Sequence, residues 1–177
     1  AAGGVGLILC QWAKHLGATV IGTVSSDEKA ALAKAHGCDH PVIYTREDFS
    51  ARVRELTDGK LLPVVYDSVG KDTFAKSLDC LSPFGMMVVY GNASGPVPPF
   101  DIGQLAAKGS LFLTRPTLAT YTAKRDDLIA SANDLFDVVE KGIVKIEINQ
   151  RFPLAEAAAA HTALEARKTT GSTLLMP

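Results

Sequence analysis

The sequence predicts a doubly wound α/β domain with a parallel sheet, and three observations carry that expectation. Short apolar segments rich in Val and Ile recur without polar alternation, as strands buried on both faces do. Each is separated from the next by a stretch of helical periodicity, the order that builds βαβ crossovers. The chain also opens on Ala1-Ala2-Gly3-Gly4-Val5-Gly6, a glycine-rich turn directly before a helix.

Taken in order, Val5, Leu9, Trp12, Ala13 and Leu16 recur at helical spacing and Gly17 supplies a left-handed stop, which predicts an amphipathic helix. Ala18 to Val24 reads as a short buried strand. Ser25, with Glu28 three places on, has the pattern of a capping box and opens a helix that runs to the Gly37 stop. Val42 to Tyr44 is a second strand. Thr45 and Asp48 open a helix ending near Thr57, Asp58-Gly59 turns, and Val64 to Tyr66 forms the middle of a third strand. Asp72 to Leu81 reads as helix, Met86 to Tyr90 as strand, and Gly91 to Pro96 as loop. After a short helix around Leu105, Leu111 to Leu113 gives a fifth strand.

The pattern then changes. A long helix from about Lys124 to Lys141, with Leu128, Ala132, Leu135, Phe136 and Val139 inward, leads into an apolar stretch from Val144 to Ile148. Arg151-Phe152-Pro153-Leu154 breaks the pattern. A helix from Ala155 to Arg167 and a terminal strand from Thr173 to Met176 follow without continuing the βα series. The expected division therefore falls between residues 1–150 and 151–177.

Composition bounds the function. Of 177 residues, 47% are hydrophobic, 21% charged and 7% aromatic, the profile of a folded globular domain. Lys and Arg number 18 against 19 Asp and Glu, a net charge of −1, which gives no electrostatic case for nucleic acid or an anionic membrane. Cys10, Cys38 and Cys80 are odd in number and lack CxxC spacing. Neither a disulfide framework nor a zinc site is indicated, and a reducing cytoplasmic setting fits. No apolar run approaches the ~20 residues that span a bilayer.

The chemistry begins at the first residues. In a Rossmann-type fold a glycine-rich turn brings backbone N–H groups to a pyrophosphate, and the helix that follows presents its positive end. Gly3, Gly4 and Gly6 sit where such a turn needs them, although a tight turn before any helix can carry the same string. About 20 residues on, an NAD site places an acid against the ribose 2′-hydroxyl, whereas an NADP site places small polar groups and a cation against the 2′-phosphate. The strand tip here reads Gly22-Thr23-Val24-Ser25-Ser26, with Lys29 one turn into the next helix, and this favours NADPH. Asp27 and Glu28 argue the other way, unless they serve only as first-turn helix acids. Gly91, Asn92 and Ser94 follow a strand, on the carboxyl edge where open sheets bind ligands, and are equally good turn formers. Asp67 is placed to brace its strand end.

Several separate strings in order, AAGGVG, GTVSSDEK, VVYDSVGKDTF, YGNASGPV and SLFLTRPTL, resemble the zinc-free quinone oxidoreductases of the medium-chain dehydrogenase/reductase superfamily, which includes the zeta-crystallin-like proteins. The resemblance covers the whole chain. It implies an NADPH-dependent enzyme with a pyrophosphate turn on Gly3, Gly4 and Val5 and 2′-phosphate contacts on Ser25, Lys29, Tyr44 and Arg167. It also implies that Gly91, Asn92 and Ser94, with Thr117 and Leu118, border the nicotinamide half. Tyr44 as a strand-end aromatic and Arg167 as a helix C-terminal cation are the plainer readings of the same residues.

The reaction so implied is hydride transfer from NADPH to a quinone, with an enone or alkenal as the alternative acceptor and a non-catalytic nucleotide-binding or crystallin-like module as the rival of another class. No residue is nominated as catalytic acid or base, because the cofactor carries the hydride chemistry. His15, His36, His40 and His161 show no metal-ligand spacing, and no metal is expected. The strand at Leu111 to Thr114 is expected at a sheet edge, where pairing with its copy would give a homodimer. A doubly wound sheet has its first strand in the centre, so the strands at Ala18 and Val64 are expected to lack a common neighbour, as in a truncated enzyme whose last residues, 151–177, return to an absent catalytic domain.

Overall fold

The computed structural model describes residues 1–177. In chain order the elements are α1 (Gly4–His15), β1 (Ile21–Val24), α2 (Asp27–Ala35), β2 (His40–Ile43), α3 (Phe49–Leu56), β3 (Leu62–Asp67), α4 (Phe74–Leu78) and β4 (Leu81–Val89). They continue with α5 (Gly103–Ala107), β5 (Phe112–Thr114), α6 (Leu118–Tyr121), α7 (Arg125–Glu140), β6 (Ile148–Pro153), a 3-10 turn (Leu154–Glu156), α8 (Ala157–Glu165) and β7 (Ser172–Met176). The α/β alternation holds through β5, and every strand pair is parallel. The chain groups into two compact units, one of Ala1–Glu47 with Ala132–Pro177 and one of Asp48–Ser131.

In the first unit β1 pairs with β2, Ile21 opposite His40 and Val24 opposite Ile43. Ala2, Cys10, Val24, Ala33, Cys38 and Ile43 bury together beneath α1 and α2. Gly17 and Gly37, both at positive φ, end those helices as their positions predict. In the second unit the order is β3-β4-β5, with Phe74, Leu78, Leu81, Met87, Val89 and Leu111 as the core. Phe74 meets Phe100 edge to face at 4.9 Å between ring centroids. β5 is the terminal strand of its sheet, as expected. β1 hydrogen bonds with β2 alone and β3 with β4 alone, so each keeps one edge without a strand partner.

Several local expectations are corrected. A strand forms at Ile148–Pro153, and it includes the Arg151-Phe152-Pro153 string read as a break. Pairing with β7, Phe152 opposite Leu175, decides this, and Pro153 sits at the strand end where a missing N–H costs least. The helix expected over Asp72 to Leu81 is confined to Phe74–Leu78, and β4 starts at Leu81, because Leu81 pairs with Leu62 ahead of a bulge that brings Val64 opposite Met86. The cap of α2 is Ser26, whose hydroxyl accepts from the Lys29 N–H at 3.3 Å, one place later than the Ser25 box, because β1 runs to Val24 and Ser25 belongs to the turn. On α1 the buried positions are Leu7 and Cys10, while Val5 and Leu16 are exposed. Leu128 and Phe136 of α7 are exposed too, and Val138 is the buried residue, since periodicity locates an apolar stripe but not what covers it. The single-turn α6 was not anticipated.

Candidate functional site

The start of α1 is built to meet an anion. Gly3, the N-cap, is extended and has no side chain to cap the helix, and the first turn carries no acid. The first helical bond runs from the Leu7 N–H to the Gly3 carbonyl at 2.9 Å, so the amides of Gly4, Val5 and Gly6 have no helix carbonyl to meet. A Cβ on Gly6 would stand 2.5 Å from the Ala1 carbonyl oxygen, and one on Gly4 3.3 Å from that of Gly171. One on Gly3 would touch nothing within 4 Å. Gly6 is thus demanded by packing, whereas Gly3 borders open space.

At the carboxyl ends of β1 and β2 the chain is tied across three consecutive positions. The Tyr44 N–H donates to the Val24 carbonyl at 3.1 Å, the Thr45 hydroxyl to the Ser25 carbonyl at 3.2 Å, and the Arg46 guanidinium to Asp27 through two bonds of 2.6 and 2.9 Å. Arg46 holds the Asp27 carboxyl below its ordinary range, and the Ser26 hydroxyl does the same for Glu28.

Lys29 and Arg167 stand beside this turn. The Lys29 Nζ donates to the Arg167 carbonyl at 2.6 Å, and an Arg167 Nη donates to the Tyr44 hydroxyl at 3.0 Å. Arg167 follows the C-terminus of α8 with φ +57°, the left-handed position usually given to glycine, and the Lys168 N–H closes that cap on the Ala163 carbonyl. No ion pair neutralises Lys29 or Arg167. Three residues far apart in sequence therefore converge, while Ser25, two positions before Asp27, lies in the turn tied to Thr45. Lys29 is marked by its spacing from the strand tip, whereas nothing local in the sequence marks Arg167, which α8 brings to this turn.

The remaining expected residues belong to the second unit, at the tips of β3 and β4. The Asp67 carboxylate is buried and accepts four hydrogen bonds, from the amides of Val69 (2.7 Å) and Gly70 (3.0 Å) and the hydroxyls of Thr73 (2.7 Å) and Ser77 (2.9 Å). It braces the strand end as expected. The loop so fixed is zipped to the Gly91–Gly95 loop: the Ala93 N–H meets the Ser68 carbonyl, the Ser94 N–H and hydroxyl both meet the Val69 carbonyl, and the Asp72 N–H meets the Ser94 hydroxyl. A Cβ on Gly91 would lie 2.5 Å from the Ser68 carbonyl oxygen, so glycine is required there for loop contact. Asn92 turns the loop, its carbonyl accepting from the Gly95 N–H. Arg115, unforeseen from sequence, reaches from the end of β5 to the Val89 carbonyl at 3.1 Å, and Thr117 and the exposed Leu118 begin α6 just beyond it. No group of three or more His, Cys, Asp or Glu is placed to hold a metal ion.

Residues 4–128 match the family model described as zinc-binding dehydrogenase. The chain belongs to the zinc-binding dehydrogenase family. Within it, this dehydrogenase-family chain is 60% identical over its whole length to a quinone oxidoreductase of Pseudomonas aeruginosa, covering 54% of that protein. It is 51% identical, again over its whole length, to a 2-haloacrylate reductase of a Burkholderia species, covering 54% of that one. The crystal structure of Escherichia coli quinone oxidoreductase complexed with NADPH superposes with a TM-score of 0.96 at 48% identity, over 99% of this chain and 55% of that one. The chain thus spans about half the length of the curated relatives it matches. The doubly wound, Rossmann-type fold class is that of these neighbours. The family match includes Gly4, Lys29 and Tyr44, while Arg167 lies outside it.

Proposed function

We propose that the chain is the nucleotide-binding portion of an NADPH-dependent oxidoreductase that delivers hydride to a quinone. In this reading residues 1–150 form the nucleotide-binding domain, and residues 151–177, which return toward a catalytic domain, add Arg167 to the cofactor site. The observation that carries it is the meeting of Lys29, Arg167 and Tyr44 with neither cation neutralised. NADPH differs from NADH by a 2′-phosphate, a compact dianion best held by charge-assisted donors. An ammonium has three N–H donors and a guanidinium five. The bonds described engage one of each, so the cluster is braced by its own contacts and keeps donors to spare.

Ser25 adds a hydroxyl at the same turn. The amides at Gly3, Gly4 and Val5 would take the pyrophosphate, using the uncompensated positive end of α1. Gly91, Asn92 and Ser94 would border the nicotinamide, with Thr117 and Leu118. Because the Ser94 hydroxyl is already engaged with Val69 and Asp72, its part is to shape the loop. The chemistry NADPH supplies when bound is hydride donation. The residues of this chain bind and orient, and none is assigned as a catalytic acid or base.

A second acceptor class is kept because a 2-haloacrylate reductase is 51% identical to the chain, close behind the quinone oxidoreductase. An electron-poor alkene would accept hydride as a quinone does. We also infer a homodimer through β5, whose Phe112 is 55% exposed at the end of its sheet. No helix is long and apolar enough to cross a membrane. Three buried free thiols fit a cytoplasmic protein.

The test is a fluorescence titration of the full-length protein with NADPH and NADH, for the unmutated protein and for Lys29→Ala. NADPH should bind at least about tenfold tighter, and the variant should lose most of that margin. Equal affinity of the unmutated protein for both nucleotides refutes the cofactor reading. Turnover with quinones and haloacrylates separates the acceptors, and nucleotide binding without oxidation by any acceptor leaves only the non-catalytic module. Sedimentation that finds a monomer, with β5 amides protected from exchange, removes the dimer.

A further inference from the structure

We propose that Arg46 is a selectivity residue, whose two-pronged grip on Asp27 masks the carboxylate that would otherwise turn the β1 tip toward a ribose hydroxyl and away from a phosphate. The inference rests on the NADPH reading above and deepens it. Two acids follow the tip of β1, Asp27 and Glu28, and an acid at this place is what discriminates against a 2′-phosphate. Asp27 is the first residue of α2, between Ser25 and Lys29 in sequence. Left free, its carboxylate would accept from a ribose 2′-hydroxyl and repel a dianion.

It is not free. One oxygen accepts from an Arg46 Nη at 2.6 Å and the other from the second Nη at 2.9 Å, a parallel fork that occupies both oxygens and cancels the charge. Glu28 is exposed, and the Ser26 hydroxyl holds its carboxyl below the ordinary range, so it keeps its charge. The Arg46 side chain is 58% exposed and that of Asp27 70%, and so open a pair adds little to folding stability. Its placement is nevertheless fixed, because Arg46 is the third of three consecutive ties from the β2 exit, after Tyr44 to Val24 and Thr45 to Ser25. Tyr44, two residues before Arg46, accepts from Arg167, and Lys29, two after Asp27, donates to it. With the Asp27 charge cancelled, Glu28 is the one charged acid left at this turn against Lys29 and Arg167; without Arg46, two acids stand against the two cations.

The experiment titrates NADPH and NADH into the full-length protein as unmutated, Arg46→Ala, and Arg46→Ala with Asp27→Asn. Exposing one carboxylate near a dianion at the surface should weaken NADPH about fivefold, leave NADH unchanged or slightly tighter, and fade at about 0.5 M salt. Removing the carboxylate as well should return NADPH to within about twofold of the starting affinity, since masking is then unnecessary. If the unmutated protein has no preference for NADPH, the reading of the cofactor fails first. If it has that preference and Arg46→Ala retains it, the masking inference alone is overturned. A double variant that stays as weak as the single one overturns it as well, because Arg46 would then act on the nucleotide directly.

Discussion

Replacing Asp67 tests how the tips of β3 and β4 are held. Asp67→Ala removes the common acceptor of four hydrogen bonds of 2.7 to 3.0 Å. The Thr73 and Ser77 hydroxyls can rotate to seek other acceptors, but the amides of Val69 and Gly70 are fixed by the turn. No buried side-chain polar atom lacks a partner in the native fold, so nothing nearby stands idle to replace the carboxylate. Two stranded amides at about 1–3 kcal/mol each, with the small void, give a loss of about 3–5 kcal/mol. At a slope of about 2 kcal/mol per molar urea, the midpoint should fall by roughly 2 M. Asp67→Asn keeps the oxygen that both amides use and turns its NH2 toward two hydroxyls able to accept, so its cost should be only about 1 kcal/mol. Urea melts of the full-length protein measure both, and amide exchange at Val69 and Gly70 localises the effect. Equal losses from the two variants, or an Asp67→Ala loss below about 1 kcal/mol, would refute the four-bond account.

Two further outcomes follow from the first unit and from the surface carboxyls. Arg167→Gly should stabilise the fold by about 1 kcal/mol, because φ +57° strains any residue with a Cβ, while weakening NADPH; a thermal melt beside a nucleotide titration checks the opposite signs, which a purely structural arginine would not give. Lys76 and then Ser50 hold the Asp48 carboxyl well below the usual range, as Arg46 does for Asp27, Lys14 for Asp39, and Lys145 with His36 for Glu147. A folded-state value below the unfolded one means stability that is complete above the unfolded pKa of about 4 and is lost as pH falls through the folded values. Urea midpoints should therefore drop between about pH 5 and pH 2, and Asp48→Asn should make that drop shallower; a midpoint indifferent to pH there would contradict the pairings.

Much of the first unit could be read in advance because its signals are local. The Gly17 and Gly37 stops depend on one residue's φ, and the bare start of α1 on which side chains are absent from its first turn. The errors fell where a distant segment decides. Arg151 to Pro153 is strand because β7 lies beside it, and β4 begins early because Leu62 pairs with Leu81. At Gly91 a glycine is also demanded by the Ser68 carbonyl, a neighbour invisible at a sequence distance of 23.

The same division holds for function. The sequence by itself determined the α/β alternation, the glycine turn before a helix, and the short spacing from Ser25 to Lys29 after a strand tip, since periodicity, turn chemistry and short spacings are properties of neighbouring residues. Only the tertiary structure decided that Arg167 meets Lys29 and Tyr44, and that Arg46 rather than solvent answers Asp27. Whether a charge is free or cancelled depends on what folding brings within about 3 Å of it, and separation along the chain does not encode that distance.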